Sequence, residues 1–293
     1  MRLMQTHPFY SPGSLNCRGK LIPLEAPLVM GVINITSDSF YSGSRKSAAH
    51  SISESANKMI NEGATFIDLG AASSRPGAKP ISSDLEIERL RMACEVVRSE
   101  CPGALISIDA HKVEILQAIE PYHIDMVNDI SGGKAGDEIW SWTGAQRVPY
   151  VLMHMKGTPE SMQSEARYTD LMAEILDYFI ERIPKILAQG IKDVFIDPGI
   201  GFAKTVEQNY ALLKHLEVLA ILDLPIMVGL SRKSLIWKTL GVQPEDGLNG
   251  STALHMHCLN KGAKMLRVHD VKEAMQTIKL WQKLNQATMQ TTD

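Results

Sequence analysis

The sequence predicts an α/β fold, namely a (β/α)8 TIM barrel with a short hairpin before its first strand. Short apolar runs alternate with longer segments of helical period, and eight such runs follow one another along the 293 residues. Nearly continuous apolar runs are typical of parallel strands that are covered on both faces. Eight evenly spaced units favour a closed barrel over the alternative, a doubly wound open sheet.

The predicted barrel strands are the apolar runs themselves. In chain order they lie at residues 28–33, 65–69, 104–108, 125–127, 148–153, 193–196, 224–228 and 264–268. Helical period is clearest at residues 170–187 and 205–220. Because serine is favoured at helix N-termini, we expect helices to start near Ser47, Ser51 and Ser82.

Three glycines indicate where helices end, and the N-terminal segment is expected to lie outside the barrel wall. Glycine is favoured just past a helix C-terminus, and it occurs shortly before three predicted strands, at Gly63, Gly190 and Gly262. Residues 14–24 precede the first barrel strand, and we expect them to form a hairpin that plugs the bottom of the barrel. Residues 1–293 are interpreted as one domain, with the barrel at about 26–285.

Composition excludes several classes of function. The net charge of -3 lacks the basic field of a nucleic-acid-binding protein. No apolar run approaches the ~18 residues that a membrane-spanning helix needs. No signal peptide is recognised, and the cysteines (Cys17, Cys94, Cys101 and Cys258) are too scattered for a zinc cluster or a disulfide framework. Free thiols and the missing leader predict a cytoplasmic protein.

Polar residues follow nearly every predicted strand, where a barrel enzyme carries its active site. Asp, Asn and Ser can simply cap the next helix, but helix N-termini do not favour Lys233, Arg267 or His269. Acids and bases that share one barrel mouth indicate a ligand between them. The residues at the strand ends are Asn34, Asp109, Asn128, Asp129, His154, Asp197, Ser231, Lys233, Arg267 and His269, and Asp68 lies within the second strand.

These residue types favour a particular ligand chemistry. Asp109, Asn128 and Asp197 suit a flat heterocycle with a ring N–H and an exocyclic amine, since a carboxylate pairs with a guanidine-like edge through two hydrogen bonds. Arg267 and His269 suit a phosphate or a diphosphate. The Asn34 amide oxygen is the type of ligand that Mg²⁺ uses beside a substrate phosphate.

The motifs at the strand ends resemble those of the dihydropteroate synthase family. The similarity extends from about residue 14 to the last helix, and it rests on eight segments in the same order as the eight strands. They are residues 30–40, 74–78, 107–109, 127–133, 153–159, 197–205, 231–234 and 267–270.

The resemblance implies a reaction. Members of that family join p-aminobenzoate to 6-hydroxymethyl-7,8-dihydropterin diphosphate, and they release pyrophosphate and 7,8-dihydropteroate in folate biosynthesis. It further implies a transferase that uses Mg²⁺, forms a homodimer and is a target of sulfonamides, with no nucleic-acid partner.

The resemblance also implies roles for individual residues, with Asp109, Lys233 and Arg267 as catalytic residues. The pterin would be bound by Asp109, Asn128, Asp197, Gly201, Phe202, Lys233 and Arg267. The diphosphate would be bound by Asn34, Arg267 and His269, with Asn34 as the metal ligand. The p-aminobenzoate pocket would be lined by Phe40, Ser74, Arg75, Pro76, Phe202, Ser231 and Lys233.

The chain departs from the family pattern at four positions, all in or beside the loops expected to close over the second substrate. These positions are Ser37, Ser42, Ala72 and Ala110. Two alternatives are kept: a pterin-binding methyltransferase domain of the corrinoid type, and a catalytically silent pterin binder. Release of pyrophosphate that depends on p-aminobenzoate distinguishes the synthase from both.

Overall fold

The computed structural model of the protein describes residues 13–35, 45–73, 77–78, 80–134 and 136–287. In this part of the chain, a two-stranded antiparallel hairpin precedes eight strands that close into a barrel. Each barrel strand pairs in parallel with the strand that follows it in the sequence, and the last strand pairs with the first. The predicted (β/α)8 barrel with an N-terminal hairpin is therefore confirmed.

The strands of the barrel are almost entirely buried, which explains why their sequences are almost continuously apolar. The hairpin consists of β1 (Ser14–Cys17) and β2 (Lys20–Pro23). The barrel consists of β3 (Leu28–Asn34), β4 (Phe66–Gly70), β5 (Leu105–Asp109), β6 (Met126–Asp129), β7 (Tyr150–Met153), β8 (Val194–Asp197), β9 (Ile226–Val228) and β10 (Ala263–Val268). Two strands, β7 and β9, begin two residues later than predicted, since Pro149 and Pro225 have no N–H to donate to a strand ladder.

Helices follow the barrel strands and form the outer layer. The α-helices in the described residues are α1 (Arg45–Glu62), α2 (Ser83–Glu100), α3 (Val113–Ile119), α4 (Glu138–Gln146), α5 (Leu171–Ala188), α6 (Val206–Lys214), α7 (Ser234–Leu240), α8 (Leu248–Asn260) and α9 (Val271–Gln286). Three short 3-10 helices lie at Glu120–Tyr122, Leu216–Leu222 and Pro244–Asp246.

The predicted helix boundaries are only partly correct. The Ser82 hydroxyl caps α2 by accepting from the Leu85 N–H at 3.3 Å, as expected. The starts expected at Ser47 and Ser51 are wrong, because both exposed serines lie inside α1. The segment 205–220 is not one helix, since α6 ends at Lys214 and the chain continues as a 3-10 helix.

The predicted glycine positions are confirmed by their backbone angles. Gly63, Gly190 and Gly262 follow helices with φ values of 106°, 88° and 95°. L-residues with a side chain rarely adopt this left-handed region.

The hairpin covers the bottom of the barrel, as predicted. Leu15 and Cys17 pack with residues from the N-terminal halves of the barrel strands, among them Phe66 and Met126, in one apolar cluster. The Asn16 N–H donates to the Asp193 carboxylate at 3.0 Å and so ties the hairpin to the residue before β8. This end of the barrel is therefore filled with side chains, and the polar residues lie at the opposite end.

Strand register places four residues at one level at that opposite end. Asn34 pairs with Gly70, Gly70 with Asp109, and Asp109 with Asn128. Successive side chains of a strand point to opposite faces, so the residues aligned with one another share one face of the wall. The fold therefore gathers residues that are far apart in sequence around a single mouth.

Candidate active site

Arg267 lies at the centre of the mouth. Its Nε donates to Oδ2 of Asp68 at 2.7 Å, and its Nη2 donates to Oδ2 of Asp109 at 2.8 Å. The side chains of Arg267, Asp68 and Asp109 are 16%, 0% and 12% exposed. The guanidinium group of Arg267 on β10 is thus held by carboxylates from two other strands. These hydrogen bonds fix the orientation of the guanidinium plane.

Asp68 also organises its neighbours on β5 and β6. Its Oδ1 accepts from the Ser107 hydroxyl at 2.6 Å, and its Oδ2 accepts from the Asn128 amide at 3.0 Å. Sequence reasoning noted Asp68 on its strand but did not assign it to the site. The available signal was a carboxylate in the middle of an otherwise apolar run, because a buried charge needs a partner.

Strand alternation separates Asn128 from the next residue. Asn128 faces the mouth, whereas Asp129 accepts from the Tyr150 hydroxyl at 2.6 Å and from the Ser131 and Gly133 N–H groups at 2.7 and 2.8 Å. Asp129 therefore shapes the turn after β6 and does not join the polar cluster around Arg267.

Asp197 and Lys233 form the second part of the mouth. Asp197 ends β8 and is 5% exposed, and its Oδ1 accepts from the Gly199 N–H at 2.8 Å. Lys233 precedes α7, and its Nζ donates to the Ile200 carbonyl at 2.6 Å. The same Nζ lies 4.4 Å from the centroid of the Phe202 ring, within the range of a cation–π contact.

Gly201 is required by this close packing. Its φ is +85°, and a Cβ at this position would lie 3.0 Å from Cδ of Lys233. A larger residue would therefore be strained in its backbone and would also press on the lysine. The role of Gly201 is to let the loop after β8 approach Lys233.

The charges of the mouth influence one another. Burial raises the pKa of Asp197, and the positive charges of Lys233 and Arg267 partly offset that rise. Burial lowers the pKa of Lys233 to about 8 against the pull of Asp197. Burial raises the pKa of Asp109, since the attraction of Arg267 offsets only part of the desolvation and Asp68 adds repulsion. The charges of Asp197 and Arg267 are thus close enough to influence each other at the same end of the barrel.

Two of the three predicted diphosphate ligands, Asn34 and His269, lie at the rim. Asn34 is exposed. A Cβ atom built on Gly70 would lie 3.7 Å from Oδ1 of Asn34 and 3.6 Å from Oδ2 of Asp109. His269 follows β10, and its Nδ1 lies 3.3 Å from the Ser231 hydroxyl. His269 as a residue is exposed, but desolvation of its ring and the charge of Arg267 lower its pKa to about 4, so the ring is neutral at pH 7.

The site brings together most of the predicted residues. Lys233 lies against Phe202, and the Ser231 hydroxyl accepts from the His269 N–H, so these three predicted residues lie at the mouth. Phe40, Ser74, Arg75 and Pro76 fall outside the described residues, as do Ser37 and Ser42. Ala110 is buried next to Asp109, and Ala72 is half-buried.

The protein offers few ligands for a metal ion. Within the described residues there is no group of three His, Cys, Asp or Glu side chains that could hold one. Asn34 contributes an amide oxygen close to Asp109 at the rim. Such a donor set fits a cation like Mg²⁺, which keeps several waters and is bound largely by substrate phosphates.

Comparison with known proteins identifies the family to which the chain belongs. The model of the family described as "Pterin binding enzyme" matches residues 30–269. Dihydropteroate synthase of Escherichia coli strain K12 is 38% identical over 270 residues, which is 91% of this chain and 94% of that protein.

Two solved structures share the fold. Dihydropteroate synthase of Xanthomonas albilineans with 4-aminobenzoic acid superposes with a TM-score of 0.86 at 33% identity, over 94% of this chain and 99% of that one. The Thermus thermophilus enzyme in complex with 6HMPPP superposes with a TM-score of 0.80 at 31% identity, over 92% and 99%. The chain belongs to the dihydropteroate synthase family of pterin-binding enzymes.

Proposed function

We propose that this enzyme condenses 6-hydroxymethyl-7,8-dihydropterin diphosphate with p-aminobenzoate to give 7,8-dihydropteroate and pyrophosphate. The observation that carries the proposal is the position of Arg267, which is clamped by Asp68 and Asp109 and lies at the same end of the barrel as Asp197 and Lys233. The similarity to dihydropteroate synthases along nearly the whole chain favours this reaction over the pterin-binding methyltransferase and the silent binder.

The pterin is proposed to bind between Asp197 and Asn128. Gly199 uses one oxygen of the Asp197 carboxylate, and within the described part of the chain the other oxygen has no hydrogen-bond partner. This second oxygen can accept from the amino-pyrimidine edge. Asn128, Asp109 and Lys233 are assigned to the ring heteroatoms, Gly201 and Phe202 to the floor, and the Arg267 guanidinium to the ring face.

The diphosphate is proposed to bind at the rim. Arg267 and His269 supply donors there, and Asn34 supplies an oxygen for Mg²⁺. When bound, the metal ion would neutralise charge on the departing diphosphate. Arg267 is suited to the same task, because its guanidinium is fixed before the substrate arrives and needs no reorganisation.

The chemistry proposed here is a displacement at the pterin methylene carbon. The carbon–oxygen bond to the diphosphate breaks, and its electron pair leaves with pyrophosphate. The resulting delocalised cation is stabilised by the Asp109 carboxylate. The neutral arylamine of p-aminobenzoate then forms the carbon–nitrogen bond and loses a proton, so no strong general base is required.

The second substrate is proposed to occupy the side of the mouth that holds Phe202, Ser231 and Lys233. The benzoate ring is proposed to lie against Phe202 with its amine near the methylene carbon of the pterin. Phe40, Ser74, Arg75 and Pro76 lie outside the described residues, and only the family resemblance assigns them to this pocket. Competition by sulfonamides for this pocket is part of the same proposal.

We also propose that the enzyme works as a homodimer in the cytoplasm. The four cysteines are all buried free thiols, which suits a reducing compartment. Within the described residues, the helices include none that is long and apolar enough to cross a membrane. Sedimentation equilibrium of the purified protein tests the dimer.

The reaction is tested by following pyrophosphate release from the dihydropterin diphosphate with and without p-aminobenzoate. We expect release to depend on p-aminobenzoate and to match dihydropteroate formed, as measured by mass spectrometry. The Lys233→Ala variant should lose this release and retain pterin binding. Release that ignores p-aminobenzoate, or unchanged turnover of the variant, contradicts the proposal.

A further inference from the structure

A second buried lysine lies below the Asp197–Lys233 part of the site. Lys204 is 3% exposed and does not line the proposed substrate pocket. Its Nζ lies 3.1 Å from Nδ1 of His154, 3.0 Å from the Gly199 carbonyl oxygen and 3.1 Å from the Phe202 carbonyl oxygen. Burial lowers the pKa of Lys204 to about 7 against the attraction of Asp197. In its ammonium form Lys204 has three N–H bonds, and these three acceptors satisfy all of them.

This geometry bears on the protonation state and the tautomer of His154. If Lys204 donates to Nδ1, the imidazole is neutral and carries its hydrogen on Nε2. Burial, with the charge of Lys204 next in effect, lowers the pKa of His154 to about 2, which agrees with a neutral ring. The ring is 2% exposed and packs edge-on against Tyr178 at a centroid distance of 4.9 Å. His154 is thus a rigid acceptor.

The loop between Asp197 and Lys204 is held from both sides by lysines. Lys204 binds the carbonyl groups of Gly199 and Phe202, and Lys233 binds the carbonyl group of Ile200 between them. The Gly199 N–H in turn holds the Asp197 carboxylate. A shift of this loop therefore moves both groups that are proposed to bind the pterin.

Asn209 supports the same loop from α6. Its side-chain oxygen accepts from the Gly201 N–H at 2.6 Å, and its Nδ2 donates to the Thr205 carbonyl at 2.7 Å. A Cβ at Gly199 would lie 2.0 Å from the His154 carbonyl oxygen, so the loop also packs directly on the end of β7. The loop has little freedom as long as Lys204 keeps its partners.

We propose that Lys204 and His154 form a positioning pair that sets Asp197 and Lys233 for pterin binding without touching the substrate. The inference rests on the proposed function and extends it to residues outside the pocket. Loss of a hydrogen bond to a buried charged group weakens the arrangement it supports by roughly 10- to 100-fold in an equilibrium constant.

The test compares three variants with the wild type. Lys204→Met removes the ammonium group at similar volume, and His154→Leu removes the acceptor. His154→Asn retains an oxygen acceptor near the place of Nδ1. Binding of 6-hydroxymethylpterin is measured by calorimetry, and KM and kcat are measured for both substrates. Lys192→Met, at an exposed position, is the matched control.

We expect Lys204→Met and His154→Leu to weaken pterin binding about 10-fold or more, with a larger rise in KM for the pterin substrate than fall in kcat. His154→Asn should recover most of the affinity. Folded Lys204→Met with wild-type pterin affinity, or His154→Asn as impaired as His154→Leu, overturns the inference. If Lys204→Met does not fold, the two His154 variants decide the matter.

Failure of the proposed function itself is recognised from the wild-type protein. In that case the wild-type protein binds no pterin or releases no pyrophosphate in the presence of p-aminobenzoate. If wild-type turnover is normal and the variants differ only in melting temperature, the proposed function stands and the positioning role is wrong.

Discussion

Arg232 and Asp270 form a bidentate ion pair that links the ends of two neighbouring barrel strands. Nε of Arg232 donates to Oδ2 of Asp270, and Nη2 donates to Oδ1, both at 2.8 Å. Each partner is next to a proposed site residue, since Arg232 follows Ser231 and Asp270 follows His269. The His269 N–H donates to the Ser231 hydroxyl at 3.3 Å, so the two segments also meet directly.

Replacement of Arg232 by lysine tests this link. A lysine provides one point charge in place of two parallel hydrogen bonds, so Arg232→Lys should lower the free energy of unfolding by about 1–3 kcal/mol. It should also raise KM for p-aminobenzoate, because Ser231 loses its fixed position. Urea denaturation and steady-state kinetics measure both effects. A double-mutant cycle with Asp270→Asn that shows no coupling contradicts the prediction.

Asp68 is expected to be essential although it is fully buried beneath Arg267. Asp68→Asn leaves the guanidinium with Asp109 as its remaining carboxylate partner in the described residues and disturbs the Asn128 contact. We expect kcat/KM to fall about 100-fold or more, which corresponds to about 3 kcal/mol of lost transition-state stabilisation.

Ser107→Ala is the matched control for Asp68→Asn. It removes a different partner of the Asp68 carboxylate and leaves the contact with Arg267 in place. A neutral hydrogen bond is worth about 1 kcal/mol, so the loss should stay below about 10-fold. If the two variants lower kcat/KM equally, the loss does not come from the pairing of Asp68 with Arg267, and the prediction is wrong.

Diphosphate binding is expected to take up a proton at His269. In the free enzyme burial lowers the pKa of His269 to about 4. A nearby polyanion favours the imidazolium form and raises the pKa. Between the free and bound pKa values the complex holds more protons, so affinity should increase as the pH falls from 8 towards 6.

Calorimetry in buffers with different ionisation enthalpies measures this uptake. Because the phosphates titrate as well, the contribution of His269 is the difference between the wild type and His269→Gln. We expect the variant to take up fewer protons and to bind less tightly at pH 6. An identical proton count in the two proteins excludes His269 as the site of uptake.

Glu86 is expected to make stability fall with rising pH. The residue is 2% exposed, and within the described residues its Oε1 has no hydrogen-bond partner. Burial raises its pKa from 4.5 to about 7. Between these values the folded state keeps a proton that the unfolded chain releases, so this group's contribution to stability declines as the pH rises from 4.5 to 7.

Glu86→Gln should remove that decline and raise the free energy of unfolding at pH 8 by about 1–3 kcal/mol. Urea denaturation at pH 5, 6, 7 and 8 gives the slope, with the exposed Glu95→Gln on the same helix as control. If Glu86→Gln keeps the slope of the wild type, another group is responsible for it.

The barrel was predictable because its strands are buried on both faces. Apolar runs such as residues 104–108 are typical of buried parallel strands. The polar residues after these runs mark the C-terminal ends of the strands, where the loops begin. Lys233, Arg267 and His269 stood out because helix capping does not explain cations there.

Asp68 and Lys204 could not be assigned from the sequence, because their partners are distant along the chain. Arg267 is 199 positions from Asp68, and His154 is 50 positions from Lys204. Local patterns show that a buried charge needs compensation, and they do not show which residue compensates it. The false helix starts at Ser47 and Ser51 have a similar cause, since an exposed helical serine resembles a cap in sequence.

The pairing of Arg267 with two carboxylates has a consequence for substrate choice. Asp68, Asp109 and Asp197 carry up to three negative charges, against two positive charges on Arg267 and Lys233. A bare polyanion therefore meets little net attraction at this end of the barrel. A polyanion whose charge is already partly neutralised by a cation meets less repulsion there. We therefore expect free phosphate and nucleotides without a bound cation to compete weakly for this end of the barrel.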